Sequence, residues 1–104
     1  MAQVFTNDNF DALVNTGKLL VIDFWATWCG PCRKLAPTIE ELAKEYDGKA
    51  IIGKCDVEEA EDLAMKFGIR NVPTVLFVKD GNVVDKQVGA VGRAVLEEKI
   101  NALL

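Results

Sequence analysis

The sequence lacks several things that would otherwise widen the field. It has no histidine, and only three cysteines in 104 residues. An odd, small cysteine count does not suit a disulfide-stapled secreted scaffold. No long hydrophobic run exists: the longest strongly apolar stretch is Leu19-Leu20-Val21-Ile22, far short of a membrane span. Positive charge is scarce and scattered, and the net charge is −4. Nothing here would neutralise a run of phosphates, so no nucleic-acid partner is expected. The opening MAQVFTNDNF has neither a basic nor an apolar leader segment. The expected location is therefore the cytoplasm, with a trimmed secreted form as the alternative. No repeat, low-complexity tract or linker interrupts the chain, so residues 1–104 are expected to form a single domain and to act as a monomer. No dinucleotide fingerprint is present, and no bound cofactor is expected.

Half the residues are apolar and 27% are charged, as in an ordinary globular protein. Hydrophobic periodicity alternates between two and 3.6. Gln3-Val4-Phe5 reads as a short strand. Thr6 or Asn7 is placed to cap a helix reaching about residue 15, with Phe10, Leu13 and Val14 on one face. Leu19–Trp25 is nearly all apolar, as for a central strand covered on both faces. A helix is expected over 31–46, with Leu35, Ile39, Leu42 and Ala43 inward and Pro37 kinking it. A strand over 50–57 and a helix over 60–67 follow. Strands over 74–79 and 83–88 are joined by Asp80-Gly81-Asn82, a hairpin signal. A last helix over 93–104 would bury Val95, Leu96, Ile100 and Leu103. The order βαβαβαββα predicts an α/β fold, a five-stranded mixed sheet flanked by four helices.

Trp28-Cys29-Gly30-Pro31-Cys32 stands where the central strand gives way to a helix, at the end of the sheet where α/β sites form. Its two cysteines have three readings. A zinc site needs four ligands; Cys55 would be a third and a carboxylate would have to be the fourth. An iron–sulfur cluster meets the same shortage. A structural staple closing so short a loop is worth only about 2 kcal/mol, against nearly 5 for a loop of about 100 residues. A redox pair fits best. Residues three apart at a helix start share one side, and the free N–H groups there stabilise a thiolate on Cys29. Pro31 suits the first helical position, and Gly30 eases the entry and the approach of a partner chain.

The stretch Trp25-Ala26-Thr27-Trp28-Cys29-Gly30-Pro31-Cys32 resembles the thioredoxin family, together with Asp23, Pro37 and Ile69-Arg70-Asn71-Val72-Pro73-Thr74. The spacing is similar along essentially the whole chain, Lys54 and Gly89 included. The resemblance implies the thioredoxin fold and a general protein disulfide reductase. Cys29 would be the exposed nucleophile and Cys32 the more buried resolving thiol. No cofactor is implied beyond the reversible Cys29–Cys32 disulfide, and no metal. The partners implied are a flavoprotein thioredoxin reductase and disulfide-containing protein substrates; no membrane is implied. Gly30-Pro31 is similar to the dipeptide of the reducing members, whereas oxidases and isomerases of this fold carry a histidine there. Without an imidazolium the thiolate is stabilised less, which favours the disulfide and makes the dithiol a reductant.

Asp23 interrupts the apolar run. It reads either as a buried carboxylate tied to Lys54 or as the proton acceptor for Cys32; burial would raise its pKa and Lys54 would lower it. The resemblance favours the acceptor role, tuned by Lys54. It also implies a cis bond before Pro73, facing the cysteines, and a docking groove of Trp28, Val72, Pro73, Val88, Gly89 and Ala90. Trp25 is expected in the core, Cys55 as a small packed hydrophobe. A binding module using the same groove inside a larger assembly is the competing function.

Overall fold

In a computed structural model describing residues 1–104, the chain folds as β1 (Gln3–Val4), α1 (Phe10–Val14), β2 (Leu19–Trp25), α2 (Gly30–Glu45), β3 (Ala50–Asp56), α3 (Glu61–Lys66), β4 (Thr74–Lys79), β5 (Asn82–Val88) and α4 (Arg93–Leu103). The five strands form one mixed sheet in the order β1-β3-β2-β4-β5. β1, β3 and β2 run parallel; β4 and β5 are antiparallel additions. This is the architecture expected from the alternating pattern.

β2 lies at the centre, and its period of two feeds both layers. Leu19 and Val21 pack with Leu35, Ile39 and Leu42 of α2 and Leu96 and Ile100 of α4. Leu20, Ile22 and Phe24 pack on the opposite face with Phe10 of α1 and Leu63 of α3. Asp23 and Trp25 therefore fall on the α2 side, at the end of the strand where α2 begins. That alternation sets the site.

Several local expectations are corrected. α1 begins at Phe10, not after Thr6 or Asn7. Thr6 and Asn9 instead close a reciprocal turn: Thr6 N–H donates to Asn9 Oδ1 (2.8 Å) and Asn9 N–H donates to Thr6 Oγ1 (3.1 Å). Asn7 serves a different helix, its Oδ1 accepting from Leu63 N–H at 3.0 Å in the first turn of α3. Val95 is 40% exposed; only Leu96 and Ile100 of the four residues expected inside α4 are fully buried. Strand β5 starts one residue early, with Asn82 opposite Lys79. The loop is thus the two residues Asp80 and Gly81, both at positive φ (52° and 84°), as a right-twisted hairpin requires. α2 spans Gly30–Glu45, 16 residues with Pro37 inside it, rather than 31–46.

Gly53 shows how closely the edge strand approaches. A Cβ there would lie 1.8 Å from the carbonyl oxygen of Gln3, its register partner in β1. Gly53→Ala should therefore peel β1 from the sheet and cost at least about 2 kcal/mol, in the range of overpacked cores. Urea unfolding checks this; an unchanged midpoint would show that β1 shifts without loss.

Candidate active site

Cys29 caps α2. Its extended backbone (φ −96°, ψ 111°) turns the chain into the helix, and its Sγ accepts the Cys32 N–H at 3.2 Å. The sulfur thus occupies the place a serine oxygen takes at an ordinary N-cap. Gly30 and Pro31 are the first and second helical residues, so Pro31 sits one position later than expected. Its missing N–H is still one of the first-turn donors that have no partner in the helix. Cys29 and Cys32 are joined by a disulfide, with Cα atoms 5.3 Å apart, and no cluster of three or more candidate metal ligands exists in the structure. The sulfurs are bonded to each other, the geometry a redox pair needs. In the reduced protein, a negative charge on Cys29 Sγ would meet the Cys32 N–H and the positive end of a 16-residue helix.

The expected contrast in exposure between the two cysteines is not found. Cys29 is 4% exposed and Cys32 2%. Both pack with Ala26 against Trp25, Val57 and Val72. The exposed members of the motif are Trp28, at 68%, Gly30 and Pro31. Cys29 Sγ lies 3.7 Å from the Val72 carbonyl oxygen, so the loop before β4 covers it.

Asp23 is 2% exposed, and no group of the protein hydrogen-bonds its Oδ1. Lys54 is its register partner across β2 and β3, yet no ion pair joins them within 4.0 Å. The Lys54 ammonium sits over the Trp25 ring, 5.7 Å from its centroid. Burial pushes the Asp23 carboxyl up to about 7, and the field of Lys54 opposes this without prevailing. The reading of a carboxylate tied to Lys54 therefore fails: the lysine acts at a distance. A cavity of about 80 Å³, roomy enough for water, lies among Asp23, Trp25, Cys32, Arg33, Ala36 and Lys54. Sequence reasoning had set Trp25 in the core and left out Arg33 and Ala36. The signal was available: Asp23 and Trp25 are two apart on a strand, and Cys32 and Ala36 are four apart on a helix.

The Val72–Pro73 bond is cis, as the resemblance implied. Val72 and Trp28 share a cleft of about 300 Å³ with Val57, Ile69, Arg70 and Asn71. No backbone group pairs with the N–H or carbonyl of Val72. Pro73 is buried, and its carbonyl accepts from Gly89 N–H at 2.8 Å. Gly89 (φ 89°), with exposed Val88 and Ala90 beside it, does not line that cleft. Cys55 is fully buried, and its thiol is pushed up to about 12 by burial and by the charges of Asp56 and Asp23. It is a packed residue with no thiolate to offer.

The thioredoxin family model matches residues 1–102. The chain belongs to the thioredoxin family. It is 48% identical over 97 residues to Thioredoxin 2 of Chlorobaculum tepidum, covering 92% of this chain and 89% of that one. With the thioredoxin of Staphylococcus haemolyticus it shares 55% identity over 84 residues, 81% of this chain and 80% of that one. It is also 48% identical over 99 residues to a chloroplastic M-type thioredoxin of Pisum sativum, covering 94% of this chain and 58% of the pea protein. As a family member with its cysteine pair at bonding distance, it is a thiol–disulfide oxidoreductase that reduces protein disulfides through Cys29 and Cys32.

Proposed function

We propose that residues 1–104 act as a single-domain, monomeric electron carrier of the cytoplasm, with Cys29 as nucleophile, Cys32 as resolving thiol and Asp23 as proton acceptor. The Cys29 thiolate attacks one sulfur of a substrate disulfide. A Cys29–substrate bond forms, the substrate S–S bond breaks, and the released thiolate takes a proton. The Cys32 thiol then gives its proton to Asp23 and attacks Cys29 Sγ. The second substrate thiol leaves and the Cys29–Cys32 bond closes. Two electrons have passed to the substrate. A thioredoxin reductase returns them, so no resident cofactor is needed. Lys54 holds the Asp23 carboxyl lower than burial alone would, and Gly30-Pro31 keeps the pair reducing.

The observation that carries this reading is the 80 Å³ cavity shared by Asp23 and Cys32, with Asp23 titrating near neutrality. Substrate docking is supported by the Val72 N–H and carbonyl, which no other backbone group engages and which suit a strand added alongside, and by the exposed apolar residues Trp28, Val88 and Ala90 beside Gly89; Pro73 itself is buried. Insulin reduction with dithiothreitol as recharging thiol tests the function. The wild type should turn insulin over and Cys29→Ser/Cys32→Ser should not. A double variant that retained reduction would overturn the reading. One that lost it yet still bound a larger assembly would add a redox-independent role.

A further inference from the structure

The protein is acidic, yet its site is not. In three of the segments that build the site, residues 24–39, 67–75 and 86–92, there is no carboxylate, and the charges are Arg33, Lys34, Arg70 and Lys86. The carboxylates nearby are Asp23 and those on either side of Val57. The cations near the cysteines are also uncompensated. All four ion pairs of the protein use Arg93 or Lys99, with Glu41, Glu45, Glu97 and Asp85. Arg70 is exposed, makes no side-chain hydrogen bond or ion pair, and lines the cleft beside Trp28 and Val72. Arg33 donates to the Thr27 carbonyl at 3.0 Å, which holds its guanidinium beside the Trp28-Cys29 turn. Lys34 is exposed next to it. On the opposite wall, Val57 is flanked by Asp56 and Glu58, but Asp56 Oδ1 accepts the N–H groups of Glu58 and Glu59 (2.8 and 3.4 Å). Asp23 is buried.

We propose that Arg33, Lys34 and Arg70 form a cationic rim that selects substrate proteins whose reducible disulfide is flanked by aspartate or glutamate. The inference rests on the reductase reading and adds the substrate class. A peptide strand laid along Val72, with its disulfide over Cys29, passes between Arg70 and the start of α2. Acidic side chains next to the attacked cysteine would meet guanidinium groups that have no other anionic partner; basic ones would meet like charge. Because the rim is exposed, each contact is modest and screened by salt.

The test uses three synthetic peptides, each with one internal disulfide, differing only in whether the residues flanking the first cysteine are Glu, Gln or Lys. Pre-reduced protein is mixed with each in acid-quenched single turnovers. At low salt the Glu peptide should react about 10-fold faster than the Lys peptide, as expected for two or three exposed charge pairs. The ratio should fall towards one in about 0.5 M NaCl, where the Debye length is only a few ångströms. Arg70→Glu should lower the ratio by about 5-fold. Lys49→Glu, an equal change of net charge on a distant exposed loop, should leave it unchanged. Comparing ratios between variants cancels the intrinsic reactivity of each peptide. A wild-type ratio near one, a preference for Lys, or a ratio insensitive to Arg70→Glu would overturn the proposal. Neutral 2-hydroxyethyl disulfide separates the two levels: if it is reduced without any charge ranking, only the rim is lost, and if it is not reduced, the reductase reading falls as well.

Discussion

Cys32→Ser should stop turnover while leaving the first chemical step intact, and should accumulate a covalent adduct between Cys29 and a substrate cysteine. Cys29 keeps its place at the N-cap of α2, and the donor to its sulfur is the backbone N–H of residue 32, which serine retains. Attack on the substrate therefore survives. What is lost is the second nucleophile, held so that its sulfur bonds directly to Cys29 Sγ with Cα atoms 5.3 Å apart. Well-oriented intramolecular groups behave as though present at about 10⁵ M or more, whereas a recharging thiol in solution is present at about 1 mM. Even allowing generously for imperfect alignment, multiple-turnover reduction should fall by more than about 10⁴-fold. Mass spectrometry of the quenched reaction should show protein plus one substrate chain. Cys29→Ser should give neither turnover nor adduct, since Cys32 lies within the first turn of α2 and lacks the N-cap position that places Cys29 beside Val72. Turnover by Cys32→Ser within 10-fold of wild type would mean that resolution does not depend on that sulfur.

How far the sequence carried the fold depended on whether the deciding physics was local. β2 was legible because a strand covered on both faces must be apolar throughout, and the hairpin because Asp80-Gly81 suits two residues at positive φ. The site's outline was legible for the same reason: a strand end, a CxxC and a helix start are contiguous. What escaped depended on distant partners. Asn7 looked like a cap for the helix that follows it, but its oxygen is satisfied by Leu63 N–H, 56 residues away. Val95 fits the apolar stripe of α4 by spacing, yet it remains 40% exposed while Leu96 and Ile100 are buried. Lys54 was correctly set beside Asp23, since parallel register puts them together, but period-two reasoning gives no side-chain length. The ammonium reaches past the carboxyl to the Trp25 ring. The cover over Cys29 comes from Val72, 43 residues on, which no local pattern announces; only the resemblance, implying a Val72–Pro73 bond that faces the cysteines, pointed to it.

That placement of Lys54 decides how Asp23→Asn should behave. In the folded protein the carboxyl is raised from 3.8 to about 7 by burial, with Lys54 opposing only in part. Between those two values the native state holds a proton that the unfolded chain has released. Stability contributed by the neutral carboxyl is thus complete below about pH 4, declines as pH rises to about 7, and stays low beyond. The displacement of about three pH units corresponds to a loss of roughly 4 kcal/mol. Asparagine carries no charge to bury, so Asp23→Asn should be more stable than wild type by ~3–4 kcal/mol at pH 8 and about equal to it at pH 4. Urea midpoints at the two pH values measure this, and a gap that does not depend on pH would show that Asp23 titrates alike in the folded and unfolded protein, so that burial does not raise its pKa. The same substitution should slow the enzyme. An amide cannot accept the Cys32 proton across the shared cavity, so resolution of the mixed disulfide should fall by about 10²-fold near pH 7, the usual worth of a positioned general base. It should recover at higher pH, where hydroxide removes the thiol proton directly. A carboxylate kept only for packing would change the first measurement and leave the second untouched. Single-turnover resolution rates that match wild type from pH 6 to 8 would therefore remove Asp23 from the mechanism while leaving its effect on stability in place. Movement of both together identifies one buried group that weakens the fold at neutral pH because it must be able to take up and release a proton there.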